Sequence, residues 1–169
     1  MELKEALLKR RSIRKYKDIP VTDEQIDELL HAAMSGPSAC NKTPWEFYVV
    51  KNGPMLDNVK KSSLFARFNS PLVIVVCGNL ERALPTPITE YWVQDCAVAI
   101  ENILLRAVDL GLGTVWCGAY PHARVVSNLQ ECLGLPETQI PLGIVHIGYP
   151  DETPEARDQY DAERVHFVD

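Results

Sequence analysis

The sequence predicts an α+β domain, or a mixed α/β one, built in three layers with helices on both faces of a sheet. Three observations carry this reading. Short apolar runs of strand length are interleaved with amphipathic segments of helix length. One run, PLVIVV at 71–76, is apolar at every position, the pattern of a strand covered on both faces. The 169 residues, 46% hydrophobic and 24% charged, suit a single domain with one sizeable core.

Taken in order, Glu2 to about Lys9 reads as a short helix that runs into a basic segment. VTDEQIDELLHAAMSGP is the clearest helix. Thr22 and Gln25 form a capping box, Ile26, Leu29, Leu30 and Ala33 make the apolar stripe, and Gly36-Pro37 stops it. WEFYVV alternates as a strand should, and Pro54 opens a short helix to about Lys61. After the 71–76 strand, Tyr91 to Leu110 is a long helix with a broad apolar face, closed by Gly111. TVWCG is a short strand ending in a glycine turn, and His122 to about Leu133 is a helix closed by Gly134 and Pro136. PLGIVHIGYP is the last strand. Beyond Pro150 the chain is polar and acidic, without a core pattern of its own. Residues 1–150 therefore read as the domain and 151–169 as an extension that packs on something else, a partner subunit being the economical candidate.

Composition excludes several function classes. A net charge of −6 repels nucleic acid and anionic membrane alike, so neither is an expected partner. The longest strongly apolar stretch, PLVIVVCG, is far too short to span a bilayer, and MELKEALLKRRS has no apolar h-region. A cytoplasmic protein is expected. The five cysteines, at 40, 77, 96, 117 and 132, form no CxxC pair and have no histidine at zinc spacing, which reads as reduced, buried thiols and no metal site. GxSxG, GxGxxG and P-loop patterns are absent. The four histidines are scattered. Only His122, just after the WCG turn, could lie near a pocket.

Three stretches could carry chemistry. KRRSIRKYK, residues 9–17, places six of the chain's 17 basic residues in nine positions. On an extended segment Arg10, Ser12 and Arg14 face the same way, and two guanidiniums with a hydroxyl make a phosphate clamp. A solvated basic loop or a nucleic-acid patch would read the same. SGPSACNKTPWEF lets the backbone approach a ligand closely, with Asn41 as donor and acceptor, although a turn-rich helix-to-strand connection has the same composition. LGLGTVWCGAY is a helix stop, a short strand and a glycine turn, and is equally an ordinary connection.

Together, ALLKRRSIRKY, PSACNKTPWEFYVV, DCAVAIENILLRAVDLGLGTVWCG and the LGLP…GYP close resemble the nitroreductase-like family of FMN-dependent oxidoreductases over nearly the whole chain. The resemblance implies a three-layer α/β/α sandwich, a mixed sheet of four to five strands, and an intertwined homodimer with two flavin sites at its interface. It puts Arg10, Arg11, Ser12 and Arg14 on FMN, with Arg10 and Ser12 at the phosphate and Arg14 nearer the ring's pyrimidine edge. Pro37, Ser38, Ala39 and Asn41 would come from the other subunit. Cys117 and Gly118 match the turn whose backbone approaches the reactive edge of the ring, and Arg157 matches a late phosphate-binding arginine of short family members. Asn69 matches only weakly and is left outside the site.

The implied activity is ping-pong hydride transfer from NADH or NADPH through FMN to a small electron acceptor such as a nitroaromatic or a quinone. The flavin carries the redox chemistry, so no side-chain acid or base is assigned. Two departures bear on substrate. Many relatives have Gln where Thr43 stands, and the helical excursion of longer members is reduced here to NLERALPTPITEY. An FMN-binding protein with little turnover is the alternative reading, and a nucleic-acid binder a more distant one.

Overall fold

The five helices and four strands read from the sequence pattern are all formed in the computed structural model, which describes residues 1–168. In chain order they are α1 (Leu3–Lys9), α2 (Asp23–Met34), β1 (Trp45–Val50), α3 (Gly53–Lys61), β2 (Leu72–Asn79), α4 (Tyr91–Asp109), β3 (Gly113–Gly118), α5 (Ala123–Leu133) and β4 (Gln139–Gly148). The capping box of α2 is complete: Gln25 N donates to Thr22 Oγ1 at 3.2 Å and Thr22 N to Gln25 Oε1 at 3.1 Å. Gly134 ends α5 in the left-handed conformation, φ +64°, which glycine adopts without a Cβ penalty.

The strand order is β1-β2-β4-β3 and every neighbouring pair is antiparallel. This corrects the mixed sheet implied by the resemblance. β2 and β3 do run the same way and are joined across one face by α4, but β4 inserts between them and pairs antiparallel with both. The three layers are as expected. Ile74 and Val76 of β2 face α2 and α4, packing with Leu29, Ile100 and Ile103. Val73 and Val75 point the other way, into Val59 of α3 and Leu129 of α5. Burying each such Ile or Leu is worth roughly 1.5–3 kcal/mol, which explains why β2 tolerates no polar position in its centre.

β3 lies at the sheet edge, and the start of the basic segment docks there. Ser12 forms a parallel bridge with Thr114, Ile13 N donates to Thr114 O at 2.8 Å, and Lys17 N donates to Tyr149 O at 2.9 Å. Ile13 and Tyr16 turn inward, 7% and 2% exposed, leaving Ser12 and Arg14 facing out. The fit depends on glycines. A Cβ on Gly113 would stand 2.8–2.9 Å from the Ile13 side chain, and one on Gly148 would stand 3.0 Å from Tyr16.

Of the cysteines, Cys77, Cys96 and Cys117 are buried, whereas Cys40 is exposed and Cys132 half-buried, so the expectation of buried thiols holds for three of the five. Cys40 sits in the Ala39–Asn41 turn, none of whose residues is buried. Among the described residues no helix is long and apolar enough to cross a membrane.

His146 of β4 is fully buried. Its Nδ1 lies 2.8 Å from Ser70 Oγ and its ring stacks edge-on against Phe68 at 5.2 Å. Burial, helped by the Lys60 charge, lowers its pKa from 6.5 to about 3. Between these values the unfolded chain binds a proton that the folded chain does not, so stability falls as pH drops from 6.5 toward 3. The slope attributable to His146 approaches about 1.4 kcal/mol per pH unit. Urea unfolding at pH 7 and 5 should show this loss, and His146→Gln should reduce it; an equal loss in the variant would assign the acid sensitivity elsewhere.

Candidate functional site

The outward face of the docked segment forms one wall of a cavity of about 530 Å³, closed by α1 at Leu7 and Leu8 and by the tail at Arg157. Arg10, Arg11, Ser12, Arg14 and Arg157 all line it, against a single acid among the described residues, Asp158. The tail is strapped to its own chain along this stretch. Asp151 N donates to Lys15 O at 2.9 Å, Arg157 N to Leu8 O at 3.1 Å, and the Arg11 guanidinium to Glu155 O. The Glu152 carboxylate accepts the backbone N–H groups of Arg14 and Lys15, which holds its pKa below the usual carboxylate range. Residues 151–157 thus lie on the chain's own basic segment. Beyond them Tyr160, Phe167 and Val168 are exposed.

The arginines differ in what already holds them. Arg10 Nε is 3.4 Å from Glu101 of α4, whose pKa burial raises against the pull of Arg10. Arg11 is engaged with the tail. The side chain of Arg157 has no ion-pair or hydrogen-bond partner among the described residues, so its donors are available to a ligand.

Arg14 also lines a second cleft, of about 500 Å³, along the free edge of β3 where the basic segment no longer covers it. Phe65, Phe68, Trp116, Cys117 and Gly118 contribute to this cleft. A Cβ placed on Gly118 meets no protein atom within 4 Å, so the turn presents bare backbone to open space. The Cys117 thiol is 3.2 Å from Phe65 O, and burial pushes its pKa up to about 11 in spite of Arg14. It is a thiol at neutral pH and a wall rather than a nucleophile. The opposing wall, the 62–71 loop, is pinned at several points. Lys60 Nζ donates to Ser70 O at 2.6 Å and Asn128 Nδ2 to Ser62 O at 3.0 Å. The Asn69 side chain exchanges hydrogen bonds with the Tyr16 backbone at 3.1 and 2.7 Å.

A basic cavity and an edge-strand cleft that share one lining arginine suit the two ends of a phosphorylated, ring-bearing ligand. Comparison with known proteins bears on which. The chain matches the nitroreductase family over residues 7–64 and 56–149. The chain belongs to that family. Over 171 residues it is 43% identical to a Methanothermobacter thermautotrophicus protein provisionally named an NADH dehydrogenase/NAD(P)H nitroreductase, spanning 99% of this chain and 87% of that one. Among solved structures, an FMN-dependent nitroreductase from Clostridium difficile superposes with a TM-score of 0.88 at 33% identity, covering 97% of this chain and 98% of that one. The NADPH:FMN oxidoreductase of Vibrio harveyi, complexed with NAD+, gives 0.87 at 26%, covering 99% and 77%.

Within this nitroreductase fold the remaining candidates stand apart. Pro37, Ser38, Ala39 and Asn41 line neither the Arg10 cavity nor the Cys117 cleft. Their segment nevertheless has a defined and strained backbone. Cys40, Asn41 and Thr43 all adopt positive φ, 50°, 53° and 45°, a region unfavourable for Cys and for β-branched Thr. What holds it is internal: Ser38 Oγ accepts from Thr43 N at 2.8 Å, and Asp95 Oδ1 of α4 accepts from Ala39 N at 2.8 Å. Asp95 was not among the sequence candidates. Its signal was present, as an acid among the apolar residues of the long helix, and it is buried. Glu152 offered no such signal, one acid in an acidic tail. Removing the Asp95 carboxylate leaves a half-buried N–H unpaired, so Asp95→Ala should cost roughly 1–3 kcal/mol in urea unfolding. A variant within error of wild type would show that the segment needs no such support.

Proposed function

We infer that the chain is an oxidoreductase that binds FMN, with the phosphate in the arginine cavity and the ring in the β3-edge cleft. The observation that carries this is Arg14: one residue lines both spaces, so a ligand with an anionic end and a flat ring can occupy them together. Their sizes fall in the range of roughly 300–1,000 Å³ usual for such ligands. Arg10, Ser12 and Arg157 hold the phosphate, Arg11 acts mainly by fixing the tail that carries Arg157, and Arg14 places a fixed positive charge beside the ring. Gly118 leaves its backbone open to the ring's edge, and Cys117 closes the wall. Bound there, FMN would supply the redox chemistry between NADH or NADPH and a small acceptor. The protein's part is to bind, orient and exclude water. Arg14 favours the negatively charged reduced form electrostatically.

Support for this reading comes from the family membership and from relatives whose names specify FMN and NAD(P)H. A quinone or nitroaromatic acceptor, and an alternating order in which donor leaves before acceptor binds, are the finer parts of the proposal. The test uses Arg157, whose side chain can be removed without orphaning an acid. Purified protein should be yellow and release FMN on heating. Arg157→Ala should weaken FMN binding by roughly 1.5–3 kcal/mol, the worth of a charged hydrogen bond, and weaken riboflavin binding far less. Equal losses for the two ligands would remove the phosphate from this cavity, and failure to take up FMN at all would remove the flavin.

The segment Pro37–Asn41, ordered yet outside both cavities, is proposed to complete the site of a second copy of the chain. The exposed apolar end of the tail, Phe167 and Val168 at 91% and 93%, gives that copy a further apolar anchor. Light scattering should find a dimer whose melting temperature rises with FMN, since a ligand bound only by the folded assembly stabilises it by mass action. Truncation from Pro154 should weaken both assembly and flavin binding. A wild-type monomer at micromolar concentration holding one FMN per chain would contradict the shared site.

A further inference from the structure

Next to the Cys117–Gly118 cleft lies a third cavity, of about 300 Å³, between the loop after α3 and the start of α5. The two spaces share Leu64, Phe65, Arg67 and Gly118. In a chain with a net charge of −6, this cavity is lined by Lys61, Arg67, His122 and Arg124 and, among the described residues, by no acid. Among the described residues, Lys61, Arg67 and Arg124 enter no ion pair. The first turn of α5, an eleven-residue helix, adds to the same field. No side chain caps it, it carries no acid, and the first intrahelical donors are Val125 and Val126, both to His122 O. The N–H groups of Ala123 and Arg124 are therefore open, and oxyanions bind such groups.

The walls are preformed. Asn128 fixes the loop to α5 through Ser62 O, and Cys117 fixes it to β3 through Phe65 O. Leu64 and Phe65, 75% and 82% exposed, stand where the cavity and the cleft meet. An apolar junction between a ring cleft and a cationic cavity selects a molecule of the same construction: a flat apolar body ending in an oxyanion.

We propose that this cavity is a subsite for the acceptor, and that the preferred electron acceptor is a small aromatic or quinonoid molecule carrying a carboxylate, sulfonate or phosphate. The inference rests on reading the neighbouring cleft as the flavin-ring site. For a quinone the overall step is NAD(P)H + H⁺ + quinone → NAD(P)⁺ + hydroquinone. The anionic group takes no part in it, so the subsite acts on KM and on binding rather than on the chemistry. Its size suits the anionic end of a one- or two-ring acceptor better than a dinucleotide, whose phosphates are the other source of the same charge.

The test reads binding first. Benzoate, which cannot be reduced, and benzamide, its neutral counterpart, are titrated into the protein with and without FMN at low salt, in wild type, Lys61→Gln and Arg124→Gln. Benzoate should bind in preference to benzamide, its Kd should rise about tenfold in either variant, and added salt should weaken it. In turnover, KM for 4-nitrobenzoate should rise by a similar factor in the variants while that for 4-nitrobenzamide stays put. Equal binding of benzoate and benzamide, or no response to both substitutions, would overturn the subsite. So would a rise in KM confined to NADPH relative to NADH, which would assign the charge to the donor's phosphate. FMN uptake and NADH-driven reduction of a neutral quinone, measured on the same preparations, keep the two readings separate. If they persist without benzoate discrimination only the subsite fails. If they are absent while Arg124-dependent benzoate binding remains, the cavity binds anions but the flavin reading fails, and the acceptor role is overturned with it.

Discussion

Everything proposed for this protein depends on how residues 12–17 are sewn onto the end of the sheet. Six basic residues within nine would repel one another in a free loop, and their mutual repulsion would spread the clamp apart. The backbone prevents this. Hydrogen bonds from Ile13 and Lys17 reach Thr114 and Tyr149, Asn69 reciprocates with Tyr16, and Ile13 and Tyr16 bury themselves over Gly113 and Gly148. With Ile13 and Tyr16 committed to the core, Ser12 and Arg14 face out. The arrangement converts a charge run into a surface with one direction. It also keeps ligand binding from having to order the segment, a cost that would otherwise be subtracted from affinity.

A second constraint follows from the edge position of β3. A sheet edge is usually covered or blunted, because its free N–H and C=O groups invite pairing. Here the basic segment covers only the start of the strand, and the rest, Val115–Gly118, is left to line a cleft. The buried Cys117 thiol and the bare Gly118 backbone suit that role, since neither adds a reactive or bulky group to the wall. The tail completes the construction by laying Glu152 across the Arg14 and Lys15 amides and bringing Arg157 to the cavity. Among the described residues Glu152 forms no ion pair with the arginines, because its carboxylate is taken up by the Arg14 and Lys15 backbone amides.

Much of this was legible in the sequence, and for physical reasons. Helix periodicity, the Thr22–Gln25 box and the glycine stops are local signals, and the elements they define are present. The basic run was legible as a candidate clamp, and Arg10, Ser12 and Arg14 line one cavity with Arg157, but so does Arg11 between them, which alternation alone would turn away. Strand direction was not legible, since nothing local records that β4 enters between β2 and β3. Long-range partners were equally hidden. Asn69 looks like a loop polar residue until Tyr16 is placed beside it, and Asp95 becomes meaningful only when Ala39 is seen at 2.8 Å. The exposure of Cys40 was not legible either, because a turn residue's exposure has no compositional mark.

The claim that the clamp exists before its ligand arrives is the one on which the account stands. It is tested most directly by native-state amide hydrogen exchange on flavin-free protein, read at Ile13 and Lys17, the two amides that tie the segment to the sheet. Both should already exchange far more slowly than an unstructured chain, and adding FMN should slow them little further. Exchange at unstructured-chain rates until FMN is added would show that the ligand builds its own site.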